Sequence, residues 1–176
     1  MTSVSMPPPD PRALDRAAEL IRAASRPIVI AGRQCESSDD APWLRALVEA
    51  LPAPLLTTPQ AKDVLPEAHS LAIGIFTGTS LDDELVGLAD LIITFGLDPE
   101  ELNPHWPYGA VVVHLSRTPG SGYPFTPLVE VAGDLALILE ELAPRLRGKT
   151  RADWDVFQID RFKKARRGGP TPLQKS

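Results

Sequence analysis

The sequence predicts an α/β fold: a Rossmann-like, doubly wound domain with a mainly parallel six-stranded sheet and helices on both faces. Three observations carry that expectation. Residues 91–96 and 110–115 are short runs of β-branched and aliphatic side chains without polar alternation, the pattern of strands covered above and below. Segments with apolar residues at three- and four-residue spacing alternate with such runs, and that spacing marks amphipathic helices. The chain contains 19 prolines, and they fall mostly between periodic segments rather than inside them, so they punctuate elements instead of breaking them.

Each element follows from its residues. Leu14, Ala17, Ala18, Leu20, Ile21 and Ala24 share one helical face, with Asp10 placed to cap the first turn. Pro27 then opens the strand 28–31, which ends at Gly32. After a polar loop, Trp43, Leu44, Leu47, Val48 and Leu51 define a second helix, stopped by Pro52. Strands are expected at 54–58, 72–76, 91–96, 110–115 and 127–131, with a short helix at 82–88. A helix starting at Gly133-Asp134 runs to about Leu146 with Leu135, Ile138, Leu139 and Leu142 facing inward. Residues 151–164 suggest an extra helix or partner segment, and Gly168-Gly169-Pro170 breaks the chain after it. The expected division is a flexible lead-in at 1–11, one domain at 12–147, and a C-terminal helix and tail at 148–176.

Bulk properties narrow the function classes. A net charge of −5 and a pI near 5.2 offer no general attraction to nucleic acid or anionic lipid. No stretch approaches the ~18 apolar residues of a membrane span. Cys35 is the one cysteine, so no internal disulfide forms and a reducing compartment is the simplest setting. The N-terminus lacks the charged and apolar regions of a secretory signal. A soluble cytoplasmic protein is expected, with the basic run 161–167 as a solvated helix face.

In an open α/β sheet, ligands sit beyond the carboxyl ends of the strands where strand order reverses. The loops there contain Gly32-Arg33-Gln34, Thr58-Pro59-Gln60-Ala61-Lys62, Gly96-Leu97-Asp98 and Ser116-Arg117. Glycines permit close backbone approach to a phosphate, and the hydroxyl and amide groups suit a nucleotide. No G-x-G-x-x-G fingerprint, P-loop or G-x-S-x-G elbow is present, so a standard NAD site, an ATPase and an acyl hydrolase lack support. Asp98, Glu100 and Glu101 form an acidic cluster of the kind that holds magnesium or shares a proton, without a second acidic set to match. His69, His105 and His114 are scattered and give no zinc pattern; His114, inside a β-rich run, reads as a core or sheet-end residue. The stretch 103–108, with Trp106 and Tyr108, reads either as a stacking surface or as a loop packing its own tryptophan.

Residues 17–32, AAELIRAASRPIVIAG, resemble the opening of the central domain of thiamine-diphosphate-dependent enzymes of the acetolactate synthase type. Residues 54–69, 88–96 and Gly133-Asp134-Leu135 resemble later segments of that domain, in order, so the resemblance covers roughly residues 12–146. It implies a Rossmann-like six-stranded layer that in some members binds FAD or ADP and in others binds nothing. It also implies that thiamine diphosphate and magnesium are held elsewhere, by a pyrimidine-binding and a diphosphate-binding domain whose motifs this sequence lacks. Residues 169–174 resemble the opening of the diphosphate-binding domain. Carried over by position, the residues to touch a nucleotide are Gly32, Arg33, Thr58, Gln60, Lys62, Gly96 and Asp98. The turns Gly32-Arg33-Gln34 and Gly96-Leu97-Asp98 depart from the flavin-binding pattern.

The expected role is therefore a central-domain-like subunit or scaffold, not catalytic alone, with thiamine diphosphate and magnesium only through partner chains; the expected partners are chains carrying the pyrimidine- and diphosphate-binding domains, or further copies of this chain in a homo-oligomer. The alternative is a stand-alone module for FAD, ADP or a CoA-like nucleotide. No catalytic residue and no metal ligand is assigned.

Overall fold

The computed structural model describes residues 6–36, 38–61, 63–149 and 152–167. Helix α1, Pro11–Ala23, begins where Asp10 accepts a hydrogen bond from the Arg12 N–H at 3.1 Å and Pro11 occupies the first turn, a position where its missing N–H costs nothing. Its buried stripe is Leu14, Ala17, Ala18 and Ile21. The chain continues through β1 (Pro27–Ala31), α2 (Ala41–Ala50), β2 (Leu55–Thr57), β3 (Ala72–Ile75), α3 (Ser80–Val86), β4 (Leu91–Phe95), β5 (Val111–Ser116), β6 (Val129–Ala132), α4 (Leu135–Arg145) and α5 (Val156–Arg167).

The strands form one six-stranded sheet in the order β3-β2-β1-β4-β5-β6, and every pairing in it is parallel. β1 and β4 are buried along their whole length and pair in register from Pro27–Leu91 to Ala31–Phe95. Alternate side chains feed two cores. Val29, Ala31, Ile93, Phe95, Val113 and Leu115 pack with α1, α2 and α4, whereas Ile28, Ile30, Leu56, Ile92 and Val112 pack with α3 and α5. Lack of alternation in the sequence is thus the mark of burial on both faces.

The second face is only partly covered by helix. Over β4 and β5 the loops supply Trp106, Tyr108, Tyr123 and Phe125 instead, with Trp106 centroids 4.9 Å from both Tyr108 and Phe125. Of the two readings of 103–108, the loop packing its own tryptophan is the one found. His114 lies beneath this cluster, fully buried, its ring 4.5 Å from that of Tyr123. Nδ1 lies 2.7 Å from Thr94 Oγ1, but Nε2 has no partner among the described residues, so this core histidine is half satisfied.

Several boundaries shift for local reasons. α3 starts at Ser80 rather than 82 because Thr79 caps it, accepting from the Leu81 N–H. The C-terminal helix starts at Val156 rather than 151, since the preceding residues are pinned to the sheet. Asp153 N–H donates to Ser25 O at 2.6 Å and Trp154 Nε1 donates to Pro27 O at 2.8 Å. α5 then lies against the edge strand β3, where Arg166 donates to Ile75 O at 2.7 Å and forms an ion pair with Asp82. The expected break at 168–170 and the segment 169–174 lie outside the described residues.

Two outcomes are expected. Burial pushes the His114 pKa down to about 4, while the unfolded chain protonates its histidine near ~6.5. Between those values the unfolded state binds more protons, so this contribution is complete above pH ~6.5 and is lost as pH falls towards 4. Urea titrations should show about 2 kcal/mol lost from this site between pH 7 and pH 5, a slope that His114→Gln flattens. The Asp82–Arg166 pair has side chains 0% and 7% exposed, so Arg166→Ala removes the counter-charge of a buried carboxylate, leaving it only the hydrogen bonds from Thr77 and Gly78, and should cost roughly 3 kcal/mol, partly recovered by adding Asp82→Asn.

Candidate functional site

The strand order reverses between β1 and β4, where one neighbour runs on to β2 and the other to β5. In such sheets the loops after these two strands part, and the crevice that receives ligands lies between them at the carboxyl ends. Gly32 and Gly96 form its floor. Gly96 has φ +69°, a left-handed backbone that a side chain disfavours. At Gly32 a Cβ would fall 2.6 Å from Glu101 Oε2, 2.6 Å from Leu97 Cδ2 and 2.7 Å from Gly96 O.

The residue at the centre of the crevice is Glu101. Its carboxylate accepts from the Arg33 N–H at 3.0 and 3.1 Å, from Thr58 Oγ1–H at 2.5 Å and from the Asp98 N–H at 2.8 Å. The donors belong to the loops after β1, β2 and β4. The Arg33 guanidinium turns back over the same loops, 2.5 Å from Asp98 Oδ2 and 3.2 Å from Glu100 Oε1. Its hydrogen bond to Asp98 raises its pKa further. Burial pushes the Asp98 carboxyl up, but hydrogen bonds from Gln34 and Arg33 outweigh it and hold the pKa below the usual carboxylate value.

A second polar layer sits alongside. The Gln34 side chain donates to Asp98 Oδ1 at 2.5 Å and accepts from the Arg117 N–H at 2.9 Å. Arg117 reaches the buried carboxylate of Asp40 at 2.6 Å. Cys35, beneath this layer, is pushed up to about 12 by burial, which suppresses the thiolate needed for nucleophilic chemistry.

The structure therefore brings Gly32, Arg33, Thr58, Gly96 and Asp98 to one crevice. Gln60 stands exposed on the 3-10 turn Pro59–Ala61, and Lys62 lies outside the described residues. Glu101, Gln34 and Arg117 belong to the site but were not among its expected residues. The Asp98-x-x-Glu101 spacing is the sequence signal for Glu101, since it is that of a capping box, and the box is formed. No spacing announces the reach of Glu101 to Arg33 and Thr58, which depends on strand order.

The carboxylates of the acidic cluster are engaged by Arg33, Gln34, Thr58 and backbone N–H groups rather than arranged around a cation. Among the described residues no group of three or more His, Cys, Asp or Glu is placed to hold a metal ion, so these residues do not fit the magnesium of a diphosphate cofactor. His69, His105 and His114 are separated, meeting Glu49, Asp83 and Thr94 respectively. No helix among the described residues is long and apolar enough to cross a membrane.

An open parallel sheet with this strand order and a crevice at its reversal defines the class of Rossmann-like α/β layers. Residues 14–142 match the family described as thiamine pyrophosphate enzyme, central domain, and the chain belongs to that family. It is similar to sulfoacetaldehyde acetyltransferase of Rhodobacter capsulatus, 31% identical over 85% of this chain and 27% of the relative. A protein named for the acetolactate synthase large subunit in Methanococcus aeolicus is 30% identical over 77% of this chain and 24% of its own length. The structure of benzoylformate decarboxylase from Polynucleobacter necessarius superposes with a TM-score of 0.68 at 24% identity, over 86% of this chain and 31% of that one. That likeness concerns the fold. The chain thus spans under a third of the length of these relatives. The central-domain reading is the one these matches support, and they do not favour the stand-alone nucleotide module or its FAD or ADP ligand.

Because the Glu101 carboxylate and the Gly96 carbonyl close on Gly32, Gly32→Ala has no room that a rotamer change can open. It should destabilise the fold by about 1–3 kcal/mol, read by urea denaturation.

Proposed function

We propose that this chain works as the central layer of a thiamine-diphosphate-dependent enzyme, a non-catalytic subunit or scaffold for partner chains that supply the pyrimidine- and diphosphate-binding domains. The observation that carries this reading is the extent of the match. Residues 14–142 correspond to the central domain of the thiamine pyrophosphate enzymes. Thiamine diphosphate, when bound, supplies carbanion-stabilising chemistry. In this reading the partner chains hold it with its magnesium, and this chain contributes rigidity and docking surface. A reducing cytoplasm suits its one cysteine, which is free and buried.

Rigidity has a structural basis. Both faces of β1 and β4 are packed, and α5 ties the edge strand through Arg166 and through Lys163, whose Nζ donates to His69 O at 2.5 Å. Such a layer holds neighbouring domains at fixed separation without moving itself.

Calorimetry with thiamine diphosphate and magnesium gives the test. The chain alone should take up no cofactor, and a complex reconstituted with chains carrying the pyrimidine- and diphosphate-binding domains should bind it. Cofactor binding by the isolated chain would contradict the proposal, as would failure to associate with chains carrying the two other domains.

A further inference from the structure

We propose that Glu101 bars nucleoside diphosphates from the crevice, its carboxylate standing where a phosphate group would sit. Three loops that meet only at the strand-order reversal each direct one donor, Arg33 N–H, Thr58 O–H and Asp98 N–H, at a single anionic group 2.5–3.1 Å away. Converging backbone and hydroxyl donors over a glycine floor are the features that cradle phosphate in such sheets. Here the anion is part of the chain, and Gly32 admits it because no Cβ stands in the way.

A free diphosphate competes poorly for this position. The carboxylate is tethered by the short turn Pro99–Glu101, so its ordering is part of folding, whereas an incoming ligand loses translational freedom on binding. Charge acts in the same direction. Arg33, the cation best placed to grip a second phosphate, is already paired with Asp98 and Glu100, so an entering polyanion meets carboxylates rather than an open guanidinium. This inference is independent of the scaffold role, since it concerns the crevice of this chain whether or not partner chains bring thiamine diphosphate.

Titration of ADP and inorganic pyrophosphate into wild type and Glu101→Ala, each verified as folded by circular dichroism, tests it. The variant should bind ADP at least roughly tenfold more tightly than wild type, and adding Thr58→Val should remove part of that gain. Acetate or formate should raise the melting temperature of Glu101→Ala more than that of wild type, because a small anion refills the cradle. If Glu101→Ala does not fold, Glu101→Gln keeps the shape, removes the charge and mispairs one donor, and should bind ADP more tightly than wild type by a smaller factor. Wild type binding ADP as tightly as the variants would overturn the inference. So would a folded variant that neither gains ADP affinity nor responds to small anions.

Discussion

Parallel strands all finish at the same edge of their sheet, and this chain places the reversal of strand order between its two most deeply buried strands, β1 and β4. The rest follows from that constraint. The loops after β1 and β4 diverge, the two glycines at their starts leave a floor without side chains, and the polar backbone exposed there must find partners. Glu101 supplies them from within, tying the loops after β1, β2 and β4 to one carboxylate. A crevice that in general receives a ligand is here a structural joint.

That joint bears on what the central-domain fold offers a ligand in this chain. The sheet and its helices resemble part of the benzoylformate decarboxylase structure, but fold alone does not specify a ligand. The donors that give such a layer affinity for phosphate are engaged, the neighbouring guanidinium is paired, and the cysteine below is too deeply buried to ionise readily. The sheet itself is packed on both faces.

The fold was legible in the sequence because burial on both faces leaves a direct trace: 28–31 and 91–95 read as unbroken apolar runs, and the helices over the first face show clean three- and four-residue spacing. The second face was less legible. Its cover over β4 and β5 is built from Trp106, Tyr108, Tyr123 and Phe125 in loops, which follow no period. The position of the crevice was legible too, through Gly32 and Gly96 at strand ends. Its occupant was not, because Glu101 lies far from Arg33 and Thr58 in sequence, and only the parallel order of β2, β1 and β4 brings them together. The same residue that reads locally as a helix cap acts across three loops.

Occupation of the crevice by the chain's own carboxylate is tested most directly by amide hydrogen exchange at Arg33 and Asp98. The two N–H groups lie in loops outside the sheet ladder, so their protection depends on Glu101. Both should exchange far more slowly than exposed loop amides in the wild type and lose that protection in Glu101→Ala. Rapid exchange at both positions in the wild type would contradict it.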